Sequence, residues 1–140
     1  MSKRILGVDP GQKRIGLAIS DPTATIANPL RVIPHVARTI DAAVIAQIAS
    51  ENDCVRIIVG QALDSEGNRG ATARHSERLA DEIRSQTELP VELWDESGST
   101  QQARSAAIAL RTPRRKRSGH LDEIAATIIL QSYLDAQEDR

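Results

Sequence analysis

The sequence predicts an α/β fold: a mixed five-stranded sheet with helices on both faces. Two observations carry this. Short aliphatic runs dominate the first third of the chain, and apolar residues at helical spacing alternate with such runs afterwards, giving the order β-β-β-α-β-α-β-α-α. The length of 140 residues suits one domain spanning 1–140, enough to bury roughly two thirds of its unfolded surface. The apolar atoms are nearly all aliphatic, with one Trp, one Tyr and no Phe.

The elements follow in order. Arg4 to Asp9 and Ile15 to Ser20 form an opening hairpin. Ile5 to Val8 is a near-continuous apolar run, which suits a strand covered on both faces. Pro10 cannot continue a ladder and Gly11 tolerates a tight turn, so the chain should reverse right after Asp9. Gly16 in the return strand leaves room for close approach of a backbone or ligand. Ile26 to Ile33 is a third extended segment, and Pro29 and Pro34 make it an edge strand. Ile40, Val44, Ile45 and Ile48 recur at helical spacing within Arg38 to Asn52. Val55 to Val59 is a β-branched run ending at Gly60, a parallel-strand candidate, and Asp64 to Gly70 is a loop. Thr72 to Thr87 is a helix with Leu79, Ala80 and Ile83 facing inward. Pro90 to Glu96 is a strand ending in two carboxylates. Ser99 and Gln102 have capping-box spacing ahead of a helix striped by Ala103, Ala106, Ala107 and Leu110. Thr112 to Gly119 is a basic loop, and Leu121 to Ala136 is the last helix.

Composition excludes several classes. The single Cys54 rules out an internal disulfide and a cysteine zinc site, and it suits a reducing compartment. No run approaches membrane-spanning length and the N-terminus lacks a signal-peptide core, so the chain reads as soluble, cytoplasmic and free of membrane contact. A net charge of -1 names no partner by itself.

Three carboxylates stand out. Asp9 ends the first strand, Glu96 ends the last, and Asp122 lies in the first turn of the last helix on the stripe of Ala125, Ala126 and Ile129. Each has an ordinary reading: an Asx-turn for Asp9, a solvated strand end for Glu96, helix-dipole complementation for Asp122. The sharper reading is that all three converge on hard divalent cations, Mg²⁺ or Mn²⁺, which favour carboxylate oxygens. Two such ions ~4 Å apart could serve cleavage of a phosphodiester.

Together these residues resemble the YqgF/RuvX family, described as pre-16S ribosomal RNA nucleases and as Holliday-junction-resolvase-like proteins. The resemblance runs through Gly7-Val8-Asp9-Pro10-Gly11-Gln12-Lys13-Arg14-Ile15-Gly16-Leu17-Ala18, then Ile57-Ile58-Val59-Gly60. It continues through Asp95-Glu96 with Ser99, Thr100 and Ala103, then Leu121-Asp122 with Ala125-Ala126 and Ile128 to Tyr133. It implies the ribonuclease H-like fold, a metal-dependent nuclease activity and an acidic triad at Asp9, Glu96 and Asp122. It is also compatible with a weak homodimer. The chain departs from the family pattern at Ser97, where Arg is usual, at His120, where Lys is usual, and at Gln61-Ala62, where Leu-Pro is common. Two permanent positive charges are thus missing or made titratable.

Arg111, Arg114, Arg115, Lys116 and Arg117 precede Asp122. Such a run is usually a solvated face, but here it borders the expected metal site, where a polyanion would lie. Lys13 and Arg14 add to that face, and His120 joins it. Trp94 either stacks on a base or packs under a helix. Recognition of RNA or DNA should therefore rest on the backbone, with little base readout. The reading is a metal-dependent nuclease, with a nucleic-acid-binding module that kept its carboxylates as the alternative; the sequence argues against a third, an ATPase of the actin and sugar-kinase type. The last would need two such domains around a nucleotide.

Overall fold

The computed structural model describes residues 2–62, 70–95 and 117–138, with backbone alone for 117–121 and 138. Five strands form one sheet: β1 (Ile5–Pro10), β2 (Arg14–Ser20), β3 (Ala27–Pro34), β4 (Arg56–Gln61) and β5 (Val91–Asp95). Their order is β3-β2-β1-β4-β5. β1 and β2 form an antiparallel hairpin, β3 pairs antiparallel with β2, and β4 lies parallel to both β1 and β5. The sheet is mixed, as expected, and β3 with its two prolines is an edge.

Three helices are described: α1 (Arg38–Glu51), α2 (Ala71–Gln86) and α3 (Arg117–Glu138). The pleat sorts the strand residues between two cores. Leu6, Val8, Ile15, Leu17, Ile57 and Val59 pack against Ile45 and Ile48 of α1 and Leu79 and Ile83 of α2. Ile5, Ala18, Ala27 and Ile58 pack on the other face against Ala126, Leu130, Tyr133 and Leu134 of α3. Helices therefore cover both faces, and β1 is buried on each.

Several boundaries move. β1 runs through Pro10, which pairs with Ile15; a proline at the last strand position forfeits only one donor. β3 starts at Ala27, leaving Ile26 exposed. In α1 the buried stripe is Asp41, Ala42, Ile45, Ile48 and Ala49, while Ile40 and Val44 face solvent. Apolar spacing alone pointed to a stripe through 40 and 44; packing against α2 and the sheet selects the neighbouring one.

α3 begins at Arg117, so Arg117 to Gly119 are helical rather than part of the basic loop, and Asp122 is its sixth residue. Dipole complementation falls off beyond the first turn, so that reading of Asp122 is replaced. The expected helix striped by Ala103 to Leu110, most of the basic loop and most of the Asp64 to Gly70 loop lie outside the described residues. Among the described residues no helix is long and apolar enough to cross a membrane.

Candidate functional site

The site is built where β1 and β4 end and β2 begins, beside the first turns of α3. A Cβ on Gly11 would lie 2.3 Å from the Arg14 carbonyl oxygen, so the tip between β1 and β2 closes as tightly as glycine permits. That turn sets Lys13 and Arg14 immediately beyond Asp9.

Which way Asp9 faces follows from two glycines. A Cβ on Gly7 would meet the Leu130 Cβ at 2.8 Å, and one on Gly16 would meet the Asp122 carbonyl oxygen at 1.9 Å. Both glycines therefore face α3. Asp9 lies two residues beyond Gly7 on β1 and directly opposite Gly16 on β2, so its side chain emerges on the same face. Cross-strand partners stand roughly 5 Å apart, which puts Asp9 one strand away from where the Asp122 backbone touches the sheet. On the other flank, Val8 pairs with Val59, and Gly60 in the next row pairs with Trp94. Asp9 thus stands in a row between Gly16 and Gly60, neither of which adds a side chain beside it.

Asp122 is brought to this edge by close packing of α3 on Gly16. The Arg14 Nε–H donates to Asp122 Oδ2 at 2.8 Å, across 108 residues of sequence. Arg14 is 55% exposed and Asp122 29%, so the pair is worth about 1 kcal/mol or less; what it contributes is orientation. Sequence reading assigned Arg14 to phosphate contact and missed this partner. The signal available was an acid on a core-facing helical stripe, which calls for a cation.

The other expected residues divide. Lys13 sits exposed at the tip, and its carbonyl accepts the His35 N–H at 2.9 Å. Arg117 and His120 lie in the first turn of α3, with side chains outside the description. Glu96, Arg114, Arg115 and Lys116 lie outside the described residues; β5 is described to Asp95. Trp94 packs under a helix. Its ring is edge-on to Tyr133 at 5.2 Å and its Nε1–H donates to Ser132 Oγ at 3.2 Å. The half-buried indole is thus tied to α3 through one edge-on ring contact and one hydrogen bond.

Among the described residues no group of three or more His, Cys, Asp or Glu side chains is assembled to hold a metal ion. What is present fits a hard divalent cation in kind: two carboxylates on one face and one edge, and an Asp122 already facing a positive group.

Comparison with known proteins places these features. A family model described as "RuvX: Holliday junction resolvase" matches residues 3–136. A protein of Anaeromyxobacter sp. (strain Fw109-5), named "Putative pre-16S rRNA nuclease", is 40% identical over 134 residues, covering 96% of this chain and 98% of its own. Its namesake from Halothermothrix orenii is 37% identical over 134 residues, covering 96% of each. Among solved structures, T. thermophilus RuvC in complex with a Holliday junction substrate matches with a TM-score of 0.61 at 12% identity, covering 98% of this chain and 96% of that one. The fowlpox virus Holliday junction resolvase matches at 0.60 and 12%, covering 96% and 99%. At such identities the two structures speak for the fold alone, which is that of RuvC-like, ribonuclease H-like proteins. With a family model spanning nearly all of its length and relatives at this level of identity, the chain belongs to the RuvX family.

Proposed function

We propose that this chain is a divalent-metal-dependent nuclease, acting as one domain in the cytoplasm on the phosphodiester backbone of structured or single-stranded nucleic acid. The observation that carries the reading is the seating of the Asp122 segment on Gly16, directly across from Asp9. Two acids remote in sequence thereby share one face of one sheet edge, beside Lys13 and Arg14. The name shared by the relatives favours a precursor of 16S rRNA over a branched DNA; within that precursor the proposed site of cleavage is the 5′ end.

Asp9 and Asp122, joined by Glu96, would hold Mg²⁺ or Mn²⁺. Such ions supply positive charge at the scissile phosphate and make water a stronger nucleophile. Arg14 orients the Asp122 carboxylate, and its exposed guanidinium can turn to a phosphate as a bidentate donor. Lys13, Arg114, Arg115, Lys116, Arg117 and His120 track the backbone. With Trp94 tied to Tyr133 and Ser132, affinity rests on charge and falls steeply with salt.

The test is cleavage of labelled pre-16S-type RNA, single-stranded DNA and a four-way junction in Mg²⁺ or Mn²⁺. Asp9→Asn, Glu96→Gln and Asp122→Asn should each lower the rate about 100-fold or more, close to 3 kcal/mol of barrier. Cleavage that survives Asp9→Asn unchanged refutes the mechanism. A metal-independent gel shift with no cleavage by the unaltered protein assigns a binding module instead.

A further inference from the structure

On the sheet face opposite α3, three polar side chains meet beneath the tip that carries Lys13 and Arg14. Asp41 is 2% exposed, one of very few buried polar residues among those described. Its Oδ1 accepts the Val36 N–H at 3.0 Å and its Oδ2 the His35 Nδ1–H at 2.5 Å. The His35 ring stands edge-on to that of His75 on α2, with centroids 6.0 Å apart. The Gly11 backbone lies near enough to the His75 ring to favour its protonated form, while its Nε2 is buried and has no partner among the described residues. The backbone of the same segment closes the circuit: the His35 N–H donates to the Lys13 carbonyl.

A buried carboxylate is costly unless it is hydrogen-bonded, and an apolar residue at position 41 would serve helix packing at lower cost. What an apolar residue would not do is fix residues 35 and 36. Asp41 fixes that segment, and that segment fixes the Lys13 carbonyl. His75 packs edge-on against the His35 ring that Asp41 orients. The tip between Asp9 and Arg14 is thus held at the Lys13 carbonyl from the face away from α3. Glycine and proline turns without such ties sample several geometries, and a displacement of about 1 Å in a group that touches substrate can cost about 100-fold in rate.

We propose that His35, Asp41 and His75 are positioning residues for the Lys13–Arg14 tip: they set where these two cations meet the phosphate backbone. The inference rests on the nuclease reading for its consequence in activity, but its structural content stands apart from that reading. Among the described residues, the charged and titratable groups that act on His75 are His35, Arg38 and Asp41, on α1 and the segment after β3.

The experiment compares the full chain with His35→Ala, His35→Asn and Asp41→Asn. The first readout is hydrogen exchange at the residue-35 amide, which donates to Lys13, and the amide shifts of Gly11 to Arg14. His35→Ala should lower protection at position 35 at least tenfold relative to β4 amides of the same protein. The second is the salt dependence of binding to a single-stranded RNA 12-mer. Its log–log slope should shrink by roughly 0.7 for each phosphate that the tip no longer neutralises. The third is cleavage, where kcat should fall about tenfold and KM less than threefold. His35→Asn keeps a donor for Asp41 and should restore most of each. A merely structural role would lower the melting temperature and leave the salt slope and the position-35 protection unchanged, and that outcome overturns the proposal. If the unaltered protein cleaves nothing, the nuclease reading fails and the exchange and salt-slope readouts still decide the network.

Discussion

A Cβ on Gly16 would sit 1.9 Å from the carbonyl oxygen of Asp122. No side chain, however small, fits between β2 and α3 at this point, so the identity of residue 16 fixes how near the Asp122 helix comes to Asp9. Gly16→Ala should therefore push the backbone of α3 away and destabilise the fold by about 3 kcal/mol. Gly7→Ala, whose Cβ would lie 2.8 Å from that of Leu130, should cost about 1–2 kcal/mol. Urea denaturation reads both; a Gly16→Ala midpoint equal to that of the unaltered chain contradicts this account of the packing.

Arg14 and Asp122 should separate stability from function. Their ion pair is largely solvated, so a double-mutant cycle in denaturant should give a coupling of about 1 kcal/mol or less. Arg14→Ala should nonetheless weaken RNA binding with a shallower salt slope. A large coupling energy would make the pair a stabilising device instead.

His75 makes stability depend on pH. Burial, with help from His35 and Arg38, pushes its imidazole below the ordinary value of 6.5, against the opposing pull of Asp41 and the Gly11 backbone. As the pH falls below about 6.5 the unfolded chain therefore takes up the proton before the folded one does. The contribution of His75 is complete above that pH and is lost as pH drops through the folded value. The difference in stability between the unaltered chain and His75→Gln, followed from pH 8 to pH 5 on ~1-unit steps, should shrink or reverse toward acid. A difference that stays flat removes His75 as its source.

Cys54 should be inert. Burial raises its thiol from 9.0 to about 11, outweighing the opposite effect of Arg4, and the thiolate is the reactive form. Alkylation by iodoacetamide in mildly alkaline buffer should be slow in the folded chain and fast in urea. Fast labelling without denaturant would mean that the β4 entrance opens readily.

Asp53 follows the end of α1 with φ 56°, and its N–H and that of Cys54 close back on Ser50 and Ala49. An L-residue is strained there, where glycine is not. Asp53→Gly should raise stability by about 0.5–1 kcal/mol in thermal or urea melts. A loss would show that the Asp53 side chain contributes more than its backbone costs.

Much of the architecture was legible because it is local. The aliphatic run of β1, the prolines of β3 and the stripe of α2 each follow from the period of a pleat or a helix. The edge position of β3, the parallel setting of β4 and the two-faced burial of β1 agree with that reading. Ile40 and Val44 mark its limit. Two stripes of α1 carry apolar residues, and only the partner surface decides which one is buried.

By itself the sequence determined the described elements, their order, the family to which the chain belongs and the acids worth watching. Tertiary structure decided what those acids meet: Asp122 lies well inside α3, held by Arg14 across 108 residues. It also decided that Trp94 is covered by Tyr133 and that Asp41 is buried against His35. The physical reason is reach. Periodicity records only how a segment presents its own side chains, whereas a charge or a ring is satisfied by whatever distant segment the packed sheet brings against it.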